Sequence, residues 1–307
     1  MLAKRISIMT ALMAVAMLAL AGCGGDDGGT PTIPPRIPVV TQLTDDPAFE
    51  ANPVFSRDGN WVYYERKDLE NFQDHDIFRI PAAGGAPQEL TSGEWLDTSV
   101  ALSPDGTRMV FESDRSGTKS LWLMNLATLA EPTQLTDDDA EDGDPCWSPV
   151  DERVVFASRR TGVHELWLLD MATGESSPLT SDGRPMTYCR TPSWSPDGTE
   201  LVFESTRDEA SALYVLTIAT GEIRRITDLA AYEGHPAWSP DGREIAFESR
   251  RNGTMDIFVV GVDGGTPFQV TNLGGYWPEW SPDGTRIIYG RYGSGEPDLW
   301  LVDVDWR

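Results

Sequence analysis

A short element built on Ser-Pro-Asp-Gly returns along the chain, and nothing else in the sequence narrows the fold as much. Aligned on its serine, it reads Phe55-Ser56-Arg57-Asp58-Gly59, Leu102-Ser103-Pro104-Asp105-Gly106, Trp147-Ser148-Pro149-Val150-Asp151, Trp194-Ser195-Pro196-Asp197-Gly198, Trp238-Ser239-Pro240-Asp241-Gly242 and Trp280-Ser281-Pro282-Asp283-Gly284. The spacings are 47, 45, 47, 44 and 42 residues. A period of about 40–50 residues is the size of one four-stranded propeller blade. Pro sets φ and Gly tolerates positive φ, so Pro-Asp-Gly makes a tight turn.

A strand ending in Trp-Ser precedes each turn. A second strand follows, as in Glu200-Leu201-Val202-Phe203-Glu204 or Glu244-Ile245-Ala246-Phe247-Glu248, with alternation at period 2. A loop such as Ser249-Arg250-Arg251-Asn252-Gly253 leads to a third strand, for example Asp256-Ile257-Phe258-Val259-Val260. A fourth ends in Leu-Thr or a variant, at Thr44, Thr91, Thr136, Thr180, Thr227 and Thr271. The first of these precedes the first unit, and the last unit stops after its third strand. The count closes only if a strand at residues 39–44 completes the last blade. The expectation is an all-β, six-bladed β-propeller closed by its N-terminal strand, which removes two sheet edges. The alternatives are an open solenoid or two sandwiches; a solenoid needs atypical capping repeats, and the sequence shows none.

Trp-Ser-Pro-Asp-Gly, an Ile/Val-x-Phe strand, Ser-x-Arg-x-Gly, Asp-Ile-Phe/Trp and Leu-Thr together resemble the WD40-like (PD40) propeller repeat of the TolB family. The resemblance covers residues 39–307. It departs at Leu102, at Pro149-Val150-Asp151-Glu152, and at Gly293 where the loop Arg would sit. TolB also carries an N-terminal α/β domain, for which the segment before residue 39 is too short. The resemblance thus implies the propeller half of such a protein. TolB-like propellers bind cell-envelope proteins, including peptidoglycan-associated lipoprotein, at the channel face.

The N-terminus carries an address. Lys4 and Arg5 precede an apolar run from Ile6 to Leu20, which ends at Leu20-Ala21-Gly22-Cys23. This is the pattern of a secretory signal, too short for a spanning helix. Leu-Ala-Gly-Cys resembles the lipobox of bacterial lipoproteins, which implies removal of residues 1–22 and acylation of Cys23. Two or more acyl chains anchor a protein stably, at about 0.8 kcal/mol per buried CH₂. Residues 23–38, rich in Gly and Pro, form a tether. Gly24 after the cysteine favours the outer membrane facing the periplasm, by the same resemblance; Asp26-Asp27 leaves cell-surface export as an alternative.

Charge excludes some partners. With 24 basic against 49 acidic residues, the formal charge is −25. Phosphate contacts dominate nucleic-acid affinity, and this chain has no Lys/Arg cluster to make them. Membrane contact is expected through the lipid alone. Three cysteines (Cys23, Cys146 and Cys189) are too few for a disulfide scaffold. An exported compartment permits a Cys146–Cys189 bridge, although strand parity does not aim the thiols at each other.

Most recurring residues read as structural. A fully buried Trp removes roughly 150–250 Å² from water, about 4–6 kcal/mol gross. Trp147, Trp194, Trp238 and Trp280 are therefore expected to glue adjacent blades. Arg115, Arg160, Arg207 and Arg251 recur at one position, as blade-to-blade braces. Function should lie where the repeats differ, on the face opposite the stereotyped turns. The residue three before each Trp position should reach the channel mouth: Asn52, Ser99, Asp144, Thr191, His235 and Trp277. Glu50, Asp97, Asp142, Arg190, Glu233 and Tyr276 are expected nearby. The acidic run from Asp137 to Asp144 has oxygen ligands suited to Ca²⁺, but its spacing does not match an EF-hand, and a solvated loop is the plainer reading. His75, His164 and His235 lie in different blades and do not converge on a metal. No cofactor is implied.

Three functions compete. The first is a non-enzymatic envelope scaffold, a monomer that recognises a protein or peptide through its channel face. The second is an enzyme, since similar repeats occur in oligogalacturonate lyases and before the hydrolase domain of prolyl oligopeptidase-type peptidases. Scattered histidines and the lack of a Gly-x-Ser-x-Gly turn argue against it. The third is a glycan- or small-ligand-binding propeller, with Tyr276 and Trp277 as a stacking platform.

Overall fold

The computed structural model describes residues 38–67, 75–136, 139–181, 186–228, 231–293 and 295–304. The expected signal segment 1–22, the lipidation residue Cys23 and the tether through residue 37 lie outside the described residues. So do Asp137 and Asp138 of the acidic run.

Among the described residues, twenty-four strands form six four-stranded antiparallel sheets, one per repeat. Five blades are continuous in sequence, and their innermost strands are Phe49–Phe55, Thr98–Leu102, Asp142–Trp147, Cys189–Trp194 and Glu233–Trp238. The sixth takes Tyr276–Trp280, Arg286–Tyr292 and Pro297–Asp303, and its outer strand is Val40–Gln42 from the other end of the chain. The seam pairs Val40 with Val302 and Gln42 with Trp300.

The recurring residues explain this closure. In all six blades the Thr of Leu-Thr accepts the N–H of a third-strand residue on Oγ1, at 2.9–3.0 Å. In the last blade that bond runs from Leu299 to Thr44, 255 residues apart. At the turns, the Ser hydroxyl donates to the Asp carboxylate at 2.5–2.7 Å and accepts an N–H from the start of the next strand. The Gly of each Ser-x-Asp-Gly turn has φ of 68–74°. These bonds hold the Asp105 carboxyl down to about 2, led by the Ser103 hydroxyl.

The second strands are buried on both faces and do not alternate as expected. Leu201, Val202 and Phe203 in succession are all fully buried. Leu201 and Phe203 pack with Val155 and Leu166 of the preceding blade, while Val202 packs with Trp238 and Ile245 of the following one. A strand sandwiched between two neighbours reads as a continuous apolar run. Six such clusters each join a blade to its neighbour. Trp147, Trp194, Trp238 and Trp280 all sit in these seams. Arg108 stacks on Trp147 and Arg153 on Trp194 from the blade before, with the guanidinium carbon 4.9 and 5.2 Å from the rings.

Candidate functional site

The innermost strand of every blade carries a β-bulge at the same place. Pairing with the second strand slips between Ala51 and Val54, Thr98 and Ala101, Gly143 and Cys146, Arg190 and Ser193, Gly234 and Ala237, and Tyr276 and Glu279. The first bulged residue is in turn Asn52, Ser99, Asp144, Thr191, His235 and Trp277, each with φ of 46–53°. That left-handed conformation costs an L-residue roughly 1–2 kcal/mol and is normally given to Gly. Here it is held by six different side chains. The next residue is Pro in five blades and Val100 in the other, and together the two rings surround an opening of about 140 Å³. Proline brings no N–H that would be left unpaired there.

A ring of second-strand carboxylates supports this mouth from beneath: Glu65, Glu112, Glu204 and Glu248, all buried. The N–H of Ser99 donates to Glu65 at 2.7 Å and that of Trp277 to Glu248 at 2.9 Å, each across a blade boundary. Glu112 accepts the N–H of Asp144 in the same way. The equivalent residues in blades three and six are Ala157 and Gly290. Asp144 itself faces the Thr191 N–H, at 3.5 Å. The indole of Trp277 occupies the space over Gly290, where a Cβ would lie 2.7 Å from the ring. Sequence reasoning missed these carboxylates, although an acid ending an apolar strand (Phe111-Glu112, Phe203-Glu204, Phe247-Glu248) was a visible signal.

The mouth has two chemically different sides. On one, Lys119 pairs with Glu112, and Arg190 lies 3.9 Å from Asp144 and 3.1 Å from the His164 ring. Burial, and then Arg190, pull His164 down to about 4. On the other side the Tyr188 and Tyr232 hydroxyls donate to Glu204 (2.7 Å) and Glu248 (3.3 Å). Nδ1 of His235 lies 3.0 Å from Glu248. Burial opposes charge on His235, but Glu248 and Glu204 more than offset it and raise it to about 9. Burial holds the Glu65 carboxyl up at about 7. Trp277 stands edge-on to Phe49 and His235, with centroids 5.9 and 6.4 Å apart, and Tyr276 packs on Tyr292 at 5.1 Å. The wall therefore has its lysine and arginine around blades two to four, and its aromatic rings around blades five, six and one with the His235–Glu248 pair among them.

Several expectations are corrected. Glu50, Asp97, Asp142 and Glu233 do not reach the mouth; each is at most 1% exposed. Three of them hold the loop arginines, as Arg115–Asp97 (2.6 Å), Arg160–Asp142 (3.0 Å) and Arg251–Glu233. Each pair lies within one blade, so these arginines brace a blade internally and not its neighbour. In blade four Cys189 stands in the acid's place, 3.7 Å from Arg207. Cys146 and Cys189 are both free. Cys189 is buried inside its blade against the Ser205 hydroxyl, whereas Cys146 lines the channel, so no bridge forms. Of the acidic run, Glu141 pairs with Arg159 and Asp142 with Arg160. Among the described residues no group of three or more His, Cys, Asp or Glu could hold a metal ion.

Residues 183–307 match the TolB beta propeller domain, and residues 103–210 match the dipeptidyl peptidase IV N-terminal region. A TolB homolog from Chlorobium luteolum is 36% identical over 55 residues, 18% of this chain and 13% of that protein. Solved structures of TolB proteins share the fold. TolB from Acinetobacter baumannii is 18% identical with a TM-score of 0.67, covering 84% of this chain and 63% of its own. A putative TolB from Agrobacterium tumefaciens is 19% identical with a TM-score of 0.68, covering 85% and 95%. An oligogalacturonate lyase in complex with manganese, 17% identical over 86% of this chain and 92% of its own, has a TM-score of 0.58. The chain therefore carries a TolB-like propeller, on an architecture that lyases also use.

Proposed function

We propose that the protein is a non-enzymatic binding module of the bacterial cell envelope that recognises a protein or peptide segment at its channel mouth. The observation that carries this reading is the ring at Asn52, Ser99, Asp144, Thr191, His235 and Trp277. One strained backbone conformation recurs six times, yet no two blades use the same side chain. The fold dictates the conformation and not the residue. Strain retained at a mouth with varied chemistry is a mark of function. The likeness to TolB points to an envelope partner, such as one resembling peptidoglycan-associated lipoprotein. The N-terminal Leu-Ala-Gly-Cys points to lipid attachment at Cys23 and an outer-membrane location. The aromatic side of the mouth supports a second reading, in which Tyr276 and Trp277 stack on a glycan.

Crosslinking and affinity capture from solubilised envelopes tests this. The bait is the wild type beside a folded variant with Asp144, His235 and Trp277 changed to Ala. A protein enriched by the wild type and lost with the variant is the expected result. Capture of the same proteins by both baits sinks the protein-recognition reading, and a glycan array then decides the second.

A further inference from the structure

Below the mouth the channel widens into a second chamber of about 500 Å³ that runs to the turn face. The two cavities share Val54, Val100, Pro145, Pro192 and Pro236 as walls, so they form one axial passage. The chamber is lined chiefly by proline and apolar or weakly polar side chains, with Val54, Ala101, Cys146 and Ser193 contributed by the residue just before the Trp position. In the sixth blade that position is Glu279.

Glu279 is the exception on this wall. Proline has no N–H to offer, and among the described residues no hydrogen-bond donor acts on its carboxylate. Facing it from the opposite blade is the Cys146 thiol, which burial, with a smaller contribution from Glu279, keeps protonated. The Ser193 hydroxyl already accepts the Trp238 N–H at 3.1 Å. The nearest fixed cation on this wall, Arg57, sits at the turn-face rim and spends both terminal nitrogens on the Pro149 carbonyl (2.9 and 3.1 Å). Glu279 is half-buried and faces the chamber rather than the outer surface, and this enclosure alone, with no opposing charge, holds its carboxyl up at about 8. A carboxylate withdrawn from bulk water without a partner is costly, and a ligand that brings a positive charge removes that cost. The rest of the chamber suits an apolar stem.

We propose that this chamber binds one cationic group on an aliphatic stem, an alkylammonium or alkylguanidinium, with the Glu279 carboxylate as its counter-ion. The group belongs either to a small free amine or to a Lys or Arg side chain of a peptide threaded through the mouth. This site does not rest on the protein-recognition reading, because none of its polar groups belongs to the bulge ring.

Isothermal titration of the protein with n-butylammonium and n-butylguanidinium tests it, with n-butanol as the uncharged probe and a short peptide bearing one Arg as a third arm. The wild type is expected to bind the two cations saturably and n-butanol not at all. Glu279→Gln, at unchanged melting temperature, should weaken binding by roughly tenfold or more, while Glu279→Asp and a His235→Ala, Trp277→Ala double variant retain it. Binding of the peptide as well as the small cations assigns the group to a peptide side chain; binding of the small cations alone assigns it to a free amine. Absence of saturable cation binding to the wild type, or equal binding by Glu279→Gln, overturns the proposal whatever the fate of the mouth.

Discussion

The turn face and the channel mouth impose the same demand on the backbone and meet it in opposite ways. At the turns, Gly59, Gly106, Gly198, Gly242 and Gly284 adopt positive φ, and the Ser-Asp pair beside each satisfies the local hydrogen bonds. At the mouth, six non-glycine residues adopt positive φ and draw support from carboxylates of other strands. The turn is a relaxed local solution and repeats almost unchanged. The mouth is a strained, tertiary solution in which the side chain is free to vary. Stability is concentrated in what repeats, and recognition in what does not.

The largest test removes a buried pair that braces one blade from within. Asp142→Ala strands Arg160 beside a buried gap and should cost about 3 kcal/mol in urea unfolding. A cost near zero would mean that the buried acids do not hold the blades. The next test sets the two faces against each other. Gly106→Ala, which meets no neighbouring atom, should cost about 1 kcal/mol through its φ of 68° alone. Thr191→Gly should instead stabilise by up to about 1 kcal/mol, because it relieves a left-handed β-branched residue whose buried hydroxyl has no partner. Melting temperatures that move the same way for both would break the comparison.

A further test is a pH slope. His235 is raised from 6.5 to about 9 in the native state. The native protein therefore holds its proton more tightly than the unfolded chain, so this stabilisation is complete below about 6.5 and lost as pH rises through about 9. Melting measured across that window should fall with pH in the wild type and fall less steeply in His235→Asn, where the raised Glu65 and Glu279 carboxyls leave a residual slope. A slope unchanged in the variant would assign it to other groups.

How much of the site was legible follows from the bulge. Counting three residues back from each Trp located the mouth ring, because the register of the repeat is constant. Counting five back failed for Glu50, Asp97, Asp142 and Glu233. In a regular strand, residues two apart share a face, but one bulged residue between them flips everything on its far side. The same flip separates Cys189, before the bulge, from Cys146, after it. No residue in the sequence marks the bulge; the prolines that follow it are equally at home in an edge strand.

The period of Ser-Pro-Asp-Gly and the displaced Leu-Thr at residues 43–44 were enough, as sequence, to determine the number of blades and the strand that closes the ring. Those are local signals: a turn needs its Pro and Gly, and a strand end its Thr, wherever the chain goes next. The carboxylates under the mouth, the internal pairing of the loop arginines and the solitary Glu279 in its chamber were decided only by tertiary structure. In each case the environment that gives the residue its chemistry comes from strands distant in sequence, and its burial exists only once the ring has closed.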